Sequence, residues 1–182
     1  MEINIRKFEE KDIPYKVKWI NDENNNRYLH YDLPLSEEKT LVWYKNIKDR
    51  ADRADFTITY NGKPVGLIGL LNIDQINKKA EFYICVGEGE YKRRGVAYTA
   101  TKLLLDIAYN ELNLNKVYLY IYIEVDNISA QKLFEKVGFK KEGLLKEDLI
   151  YNNRKVDRFI YGLLARDYKN EGAQLNAIWK WL

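Results

Sequence analysis

Histidine and cysteine are almost absent from this chain of 182 residues, which contains one of each, His30 and Cys85. A single cysteine excludes an intrachain disulfide, and one cysteine with one histidine cannot supply a Cys/His zinc site. At most one histidine is left for a triad of nucleophile, base and orienting acid. We therefore expect no metal site, and the low cysteine content is typical of a reducing compartment.

Proline and glycine are also scarce, with 3 and 10 residues, and no apolar run is long enough to span a bilayer. The residues at 1–7 carry charges and no apolar stretch, which argues against a signal peptide. The hydrophobic fraction of 46% and the aromatic fraction of 14% exclude collagen-like, low-complexity and disordered chains. We expect a cytoplasmic protein without a membrane partner.

Charge of neither sign dominates, since 30 lysine and arginine residues stand against 27 aspartate and glutamate residues, for a formal net charge of +3. This balance does not favour a nucleic-acid-binding protein. The basic triplet Lys92-Arg93-Arg94 and the tyrosine-rich segment 118–122 are the two features that favour RNA or DNA binding. The even overall charge outweighs them, and we expect no nucleic-acid partner.

Hydrophobic periodicity and turn residues predict a mixed α/β domain with the order β-α-α-β-β-β-α-β-α-β-β. Asn61-Gly62 is a strong hairpin signal, Ser36 is a suitable N-cap, and Gly138 is a suitable helix end. The predicted strands cover 3–6, 55–60, 64–71, 81–86, 117–125, 144–151 and 156–164. The predicted helices lie near 13–20, 36–47, 94–112 and 128–137.

The most informative stretch covers 81–101, where a strand leads through a basic, glycine-containing loop into a helix. The N-terminus of a helix presents unpaired N–H groups and positive potential, which attract phosphate. Lys92, Arg93 and Arg94 add cationic donors, and Gly95 removes a side chain where a ligand would approach the backbone. From the residues alone, the pattern is equally consistent with a pyrophosphate cradle and with a basic loop that only caps the helix. The sequence has neither a P-loop nor a dinucleotide-binding fingerprint.

Two blocks of the sequence resemble the GNAT superfamily of N-acetyltransferases. Lys92-Arg93-Arg94-Gly95-Val96-Ala97 is similar to that family's acetyl-CoA motif, Q/R-x-x-G-x-G/A. The segment IEVDNISAQKLFEKVGF at 123–139 resembles the family's strand-to-helix segment. The segments EGLL at 142–145 and YNNRKVD at 151–157 are similar to the branch that acetylates ribosomal-protein N-termini, polyamines and amino sugars. We therefore assign 1–168 as a GNAT domain and 169–182 as an amphipathic C-terminal tail.

The resemblance implies both the fold and the co-substrate. It implies a central mixed sheet of about seven strands with helices on both faces, splayed between the fourth and fifth strands to admit acetyl-CoA. The end of the fourth strand, with Ile84 and Val86, would hold the pantetheine arm. The implied pyrophosphate ligands are Lys92, Arg93, Arg94, Gly95, Val96 and Ala97. Asn127 would contact the pantetheine or the thioester, or would only cap its helix, and the amine would attack the acetyl carbonyl directly in a ternary complex.

Two departures from the family pattern bear on the chemistry. Lys92 replaces the usual glutamine or arginine, and lysine still binds phosphate as a point charge. Phe134 stands in the cofactor site where the family often has a tyrosine acid, and its ring cannot protonate a leaving thiolate. A thiol of pKa ~8.5 leaves tolerably near neutral pH, and general acid catalysis is worth ~10²–10⁴-fold, so its loss need not abolish turnover. Tyr83 or a tyrosine of the 118/120/122 face is an alternative acid, although packing is the commoner role.

Glu81 is the candidate catalytic base, because an alkylammonium group of pKa ~10 must lose a proton before it attacks. Alternation places Glu81, Tyr83 and Cys85 on one face of their strand, and the related branch often has an acidic residue here. The structural alternative is a strand-edge charge that pairs with a lysine or arginine. Cys85 is expected to be a buried structural thiol, because the resemblance implies direct transfer.

The sequence does not determine the acceptor. The resemblance places the acceptor pocket in the variable region that contains Trp19, Asp22, Tyr28 and His30. Asp22 suits a cationic amine, whereas Trp19 or Tyr28 suits stacking on a nucleotide sugar. Amino sugars, polyamines, antibiotic amines and protein N-termini are the alternatives among acceptors. A non-catalytic acyl-CoA-binding module is the rival to an N-acetyltransferase, because Phe134 replaces the usual acid.

The C-terminal tail carries one apolar stripe at helical spacing, formed by Leu175, Ile178, Trp179 and Leu182. Such a stripe docks on the domain, forms a homodimer contact or anchors the chain at a membrane surface. Few positive charges lie beside it, so the sequence favours docking or a homodimer.

Overall fold

A seven-stranded mixed sheet forms the centre of the protein, with the strand order β1-β2-β3-β4-β5-β7-β6. The computed structural model describes residues 2–26, 29, 31, 33–122, 127–151 and 153–168. Every pair of neighbouring strands is antiparallel except β4 and β5, which are parallel. The strands are β1 (Ile3–Lys7), β2 (Ala54–Tyr60), β3 (Lys63–Asp74), β4 (Lys79–Val86), β5 (Lys116–Tyr122), β6 (Lys140–Tyr151) and β7 (Arg154–Leu164).

Five α-helices accompany the sheet in the described part of the chain. They are α1 (Ile13–Asn21), α2 (Glu23–Asn26), α3 (Glu37–Ile47), α4 (Val96–Asp106) and α5 (Ile128–Val137). The Ser36 side chain accepts a hydrogen bond from the Lys39 N–H at 3.2 Å and so begins α3 as predicted. The predicted helix end at Gly138 is also confirmed, and α4 continues into a π-helical turn at Ile107–Glu111.

The predicted hairpin between β2 and β3 is confirmed at Asn61-Gly62. Both residues have positive φ, 47° and 79°, which is the conformation that a two-residue turn of this kind requires. The polar segment 21–26, predicted as a loop or helix end, instead contains the short helix α2. The Asp22 carboxylate accepts the Asn24 N–H at 2.9 Å, which caps this extra turn.

The helices cover both faces of the sheet, because alternate strand residues contribute to two separate cores. On one face, Ile68 and Phe82 pack with Leu104 of α4 and Phe134 of α5. On the other face, Leu67 packs in a smaller core with three residues of the N-terminal region, Phe8, Ile13 and Trp19. The predicted mixed sheet with helices on both faces is therefore confirmed.

The parallel pair β4–β5 is hydrogen-bonded over a short distance only. Within the described residues, its register covers Lys79–Glu81 against Lys116–Tyr118 and goes no further. Beyond this point β4 still pairs with β3 as far as Val86, and β5 still pairs with β7 as far as Tyr122. The two strands therefore separate while each keeps its outer neighbour, which confirms the predicted splay between the fourth and fifth strands.

Two predicted segments lie wholly or partly outside the described residues. The end of the fifth strand at 123–125 is one, and the C-terminal tail at 169–182 is the other, so the tail and the homodimer stay predictions. Within the described ranges, no helix is both long and apolar enough to cross a membrane.

Candidate active site

The separation of β4 from β5 opens two cavities that meet between the strands. The first, called the inner cavity here, has a volume of about 440 Å³ and is lined by Lys16, Trp43, Glu81 and Tyr120 among others. The second, the outer cavity, has a volume of about 610 Å³ and lies at the start of α4, where Lys92 and Gly95 line it. The residues that line both cavities are Leu29, Ile84, Cys85, Asn127, Ala130 and Leu133.

The outer cavity has the features of an anion site at the N-terminus of α4. Gly95 is the N-cap residue, with a φ of 77°, and no side chain caps the helix among the described residues. The first N–H groups of a helix have no partner within it and carry positive potential. A Cβ at Gly95 would meet no atom within 4 Å, so this position opens to the space where a ligand would lie.

Lysine and arginine side chains complete the outer cavity. Lys92 and Arg93 line it, and the Lys92 ammonium donates a hydrogen bond of 2.7 Å to Asn25 Oδ1. Asn25 is 5% exposed, and its amide donates to the Gly87 and Trp19 carbonyls at 2.9 and 3.1 Å. This contact ties the basic loop to α1 and the end of β4, and it holds Lys92 in place.

The predicted cofactor-binding residues divide between the two cavities. Those that line the outer cavity are Ile84, Val86, Lys92, Arg93, Gly95, Val96, Ala97 and Asn127. Phe134 lines the inner cavity instead, where it packs edge-on against Phe82 and Phe139 at ring distances of 5.6 and 5.7 Å. Arg94 is exposed and is not among the lining residues of the described chain.

Asn127 caps α5 and also lines both cavities. Its Oδ1 accepts the Ala130 N–H at 3.1 Å, so the capping alternative from the sequence is present in the structure. Asn127 also lies on the wall that the two cavities share, close to where they join. A contact with the co-substrate stays a prediction.

Glu81 lies where β4 and β5 are last paired, opposite Tyr118. Its carboxylate accepts a hydrogen bond of 3.0 Å from the Asn72 amide, which is a neutral partner. Burial raises the pKa of Glu81, and the Asn72 hydrogen bond and the charge of Arg158 oppose that shift. Glu81 is thus a carboxylate on the cavity wall with a raised pKa, which suits a general base.

A cluster of charged and aromatic side chains forms the other side of the inner cavity. Lys16 is 7% exposed, and its Nζ lies 3.7 Å from the centre of the Trp43 ring. Arg53 donates two hydrogen bonds of 2.7 Å to the Asp55 carboxylate, and the Tyr83 hydroxyl donates a third at 2.6 Å. Burial lowers the pKa of Lys16 to about 8, and the charge of Asp55 opposes that shift.

Sequence reasoning missed this cluster, although one signal was available. Lys16 lies three residues after Ile13 and four before Ile20, so it shares the apolar face of α1. A lysine on such a face is a buried charge, which is rare without a functional or structural reason. No pattern in the sequence identifies Trp43 or Arg53 as its neighbours.

A family model described as acetyltransferase (GNAT) domain matches residues 2–140. The chain belongs to the GNAT acetyltransferase family. A spermidine N(1)-acetyltransferase of Vibrio cholerae is 31% identical over 159 residues, which cover 85% of this chain and 90% of the relative. A putative ribosomal N-acetyltransferase, YdaF of Bacillus subtilis, is 29% identical over 177 residues, covering 93% and 94%.

The same family relationship holds among solved structures. The crystal structure of spermidine N-acetyltransferase from Vibrio cholerae in complex with CoA and spermine superposes with a TM-score of 0.83. It is 28% identical and covers 92% of this chain and 98% of that chain. These findings confirm the predicted GNAT fold and an acetyl-CoA-dependent N-acetyltransferase. The rival, a non-catalytic acyl-CoA-binding module, is not supported, because the relatives are named as enzymes.

Two of the four predicted acceptor residues of this GNAT acetyltransferase are described. Trp19 is 1% exposed, and its Nε1 donates to Glu88 at 2.8 Å, so the ring has a packing role and offers no open face for stacking. Asp22 is exposed beside α2 and is not among the described residues that line the inner cavity. Tyr28 and His30 lie outside the described residues.

Cys85 lines both cavities, on the wall that they share. Burial raises the pKa of its thiol to about 11, although the charges of Lys92 and Lys16 oppose the shift. The thiolate is the nucleophilic form of cysteine, and a pKa this far above 7 leaves the Cys85 thiol protonated at neutral pH. This is consistent with direct transfer to the amine rather than with a covalent acetyl-cysteine.

Proposed function

We propose that this GNAT acetyltransferase binds acetyl-CoA in the outer cavity and the amine acceptor in the inner cavity. Transfer would then take place at their shared wall, beside Cys85 and Asn127. The observation that carries this proposal is the loss of pairing between β4 and β5 beyond Glu81 and Tyr118, which opens the sheet at that wall.

The outer cavity fits the anionic part of CoA. The N-terminus of α4 directs backbone N–H groups into it, and Lys92 and Arg93 add positive charge. The unpaired edge of β4, at Ile84 and Val86, offers backbone groups to the amide-containing pantetheine arm. When bound, acetyl-CoA supplies the acetyl group as a thioester.

Glu81 would act as the general base. A primary amine is mostly protonated at neutral pH, because its pKa is ~10, and only the neutral form attacks a carbonyl. A carboxylate at the fork of the strands accepts that proton directly or through one water. Burial raises the pKa of Glu81, so its pKa is closer to neutral pH than the pKa of an exposed glutamate. Its carboxylate is therefore a stronger base.

The leaving thiolate would receive no proton from position 134. Phe134 has no ionisable group, and its ring is held against Phe82 and Phe139. A thiolate with a pKa of ~8.5 leaves without assistance more readily than an alkoxide does. The chain would therefore rely on base catalysis and on the positioning of the amine against the thioester, and less on general acid catalysis.

The experiment that tests this proposal follows release of CoA from acetyl-CoA across a panel of primary amines. Product mass spectrometry must identify the acetylated amine, since Cys85 is a free thiol and any reaction of it with a thiol reagent would give a false signal. We expect amine-dependent turnover, together with thermal stabilisation of the protein by acetyl-CoA. Stabilisation by acetyl-CoA without any acetylated amine, or no stabilisation at all, would contradict the proposed function.

A further inference from the structure

We propose that Lys16 and Arg53 form an anion-binding subsite in the inner cavity, so that the acceptor is a small primary amine that also carries a carboxylate or phosphate. This inference rests on the proposed function, because it assigns the acceptor to the inner cavity. It narrows the acceptor to a class that differs from the polycation named in the spermidine relatives.

Lys16 is a buried ammonium on the wall of the inner cavity, and no described residue forms an ion pair with it. It is 7% exposed and lines the inner cavity, and its described contacts are the rings of Trp43 at 3.7 Å and Tyr31 at 5.8 Å. Within the described part of the chain, no carboxylate forms an ion pair with it. A buried charge costs free energy unless it is paired. An anionic group of a ligand would pair with Lys16 and reduce that cost.

The nearby carboxylate of Asp55 already accepts hydrogen bonds from Arg53 and Tyr83. Its Oδ2 accepts Arg53 Nε at 2.7 Å, and its Oδ1 accepts both Arg53 Nη2 at 2.7 Å and the Tyr83 hydroxyl at 2.6 Å. Asp55 therefore forms its ion pair with Arg53, although its charge also acts on Lys16. Among the described residues, this leaves the Lys16 ammonium without an ion-pair partner on this side of the cavity.

Arg53 has donor groups left over for a ligand. Guanidinium has five N–H donors, and its two bonds to Asp55 use two of them. Its Cζ lies 5.3 Å from the centre of the Trp43 ring, so Lys16 and Arg53 flank the same ring. Two cationic side chains beside the same Trp43 ring can both donate hydrogen bonds to the oxygens of one carboxylate or phosphate.

The spacing along β4 sets the distance between the two functional groups of the acceptor. Asp55 and Arg53 are joined to Tyr83, which lies two residues from Glu81 on the same strand face. Two residues of a strand span ~7 Å. This backbone spacing sets the scale, on the order of 7 Å, that we infer for the separation between an amine beside Glu81 and an anion beside Lys16 and Arg53. A second ammonium at that distance would instead meet the positive charge of Lys16.

Three acceptors of equal chain length test the charge at the far end. They are 5-aminopentanoate, 1-aminopentane and cadaverine, which end in a carboxylate, a methyl group and an ammonium. We expect the unaltered protein to give its highest kcat/KM with 5-aminopentanoate and its lowest with cadaverine. Glucosamine 6-phosphate adds the phosphate arm, and its rank against 5-aminopentanoate distinguishes a phosphate from a carboxylate as the preferred anion.

Lys16→Met tests the residue itself. The substitution removes a hydrogen bond between the Lys16 ammonium and the anionic group of the acceptor. Because hydrogen bonds to charged groups are stronger than neutral ones, kcat/KM for both anionic acceptors should fall about tenfold or more, mainly through a higher KM. The change in kcat/KM for 1-aminopentane should be smaller than the change for the anionic acceptors, because 1-aminopentane has no anion to lose a partner. Lys16→Glu should reverse the order of 5-aminopentanoate and cadaverine.

Lys18→Met is the matched control, since Lys18 is on the same helix but is exposed and paired with Glu88 at 2.6 Å. It should leave the order of acceptors unchanged. Higher kcat/KM with cadaverine than with 5-aminopentanoate in the unaltered protein would overturn the subsite, even if no Lys16 variant folds. An unchanged order in folded Lys16→Met would overturn it too. If acetyl-CoA binds and no amine of the panel is acetylated, the proposed function fails, and the subsite fails with it.

Discussion

Glu81 and Tyr118 are the last two residues at which β4 and β5 pair, and beyond them the sheet divides. The carboxylate of Glu81 therefore lies at the closed end of the gap that the two strands form. Tyr118 and Tyr120 stand on the neighbouring strand with their rings 5.7 Å apart, and the Arg158 guanidinium lies 4.0 Å from the Tyr120 ring. The fold thus places the proposed base beside the space that it opens for the substrates.

Glu81→Gln should lower kcat/KM for the amine by ~10²–10⁴-fold near neutral pH, because a positioned base contributes about that much. Burial raises the pKa of Glu81, and Asn72 and Arg158 oppose this shift, so the acidic limb of the profile should lie above 4.5. Only the ionised carboxylate accepts a proton, so the rate should rise with pH through that limb. A pH–rate profile of both proteins measures this effect.

The difference between the two proteins should shrink as the pH approaches ~10, where the amine is neutral without help. The affinity for acetyl-CoA should not change. Glu111→Gln is a control at an exposed glutamate outside both cavities. A profile for Glu81→Gln that overlays the original would remove Glu81 from the mechanism.

Gly95→Glu should sharply lower the affinity for acetyl-CoA. The substitution places a carboxylate at the N-terminus of α4, where it would compete with the anionic groups of CoA for the same N–H groups. It also introduces a side chain at a φ of 77°, which strains the backbone. Isothermal titration calorimetry with acetyl-CoA measures the loss.

Gly62→Glu separates these two effects. Gly62 also has a positive φ, 79°, and a Cβ at this position would likewise meet no atom within 4 Å, but Gly62 lies in the β2–β3 turn. Both variants should lose similar stability, and only Gly95→Glu should lose affinity for acetyl-CoA. Equal affinities in the two variants would contradict the assignment of the outer cavity.

Asp12→Ala should lower the free energy of unfolding by about 3 kcal/mol, the low end for breaking a buried pair, since Arg6 is partly exposed. Asp12 is 0% exposed and accepts hydrogen bonds of 2.6 Å from two Arg6 nitrogens and 2.8 Å from Thr57. Burial alone would raise its pKa, but the Arg6 and other hydrogen bonds outweigh burial and lower it below 3.8.

The sign of the pH dependence follows from that lowered pKa. Asp12 contributes its full stability above the pKa of the unfolded chain, and the contribution is lost as the pH falls through the lower pKa of the folded state. Urea unfolding at pH 7 and at pH 3 should show a smaller difference between Asp12→Ala and the original protein at the lower pH. Glu10→Ala, at an exposed neighbour, should cost less than about 0.5 kcal/mol.

Local signals predicted most of the fold because they act over a few residues. Ser36 and the Asn61-Gly62 pair each fix a local backbone conformation, and both are where the sequence placed them. Alternation along β4 likewise predicted its two faces, since Phe82 and Ile84 pack with the larger core and Tyr83 packs with the smaller one. The resemblance supplied the splay between β4 and β5, which no local pattern contains.

The tertiary contacts of the site were not predictable in the same way. Asn25 is part of an asparagine-rich segment that looks like a solvated loop, yet it is buried and holds Lys92. Lys16 depends on Trp43 and Arg53, which are distant in sequence and meet it only after α1 and α3 pack on the sheet. Trp19 was expected at the acceptor, but its packing in the smaller core follows from the same docking of α1.

Cys85→Ala should retain most of its activity, because the thiol is protonated at neutral pH and the amine is expected to attack directly. Burial raises the pKa of Cys85 to about 11, which leaves little thiolate to accept an acetyl group. Steady-state rates with the preferred amine, together with mass spectrometry of the protein after incubation with acetyl-CoA alone, measure this. We expect no acetyl adduct on Cys85.

Cys85→Ser controls for the lost volume, since the side chain keeps its size on the wall shared by the two cavities. A fall in rate for Cys85→Ala that Cys85→Ser restores would reflect packing at that wall. A covalent route instead requires that both variants lose turnover and that the unaltered protein carries an acetyl group on Cys85 which the amine then removes. That pattern would replace direct transfer with a two-step mechanism and would leave Glu81 as the base for the second step only.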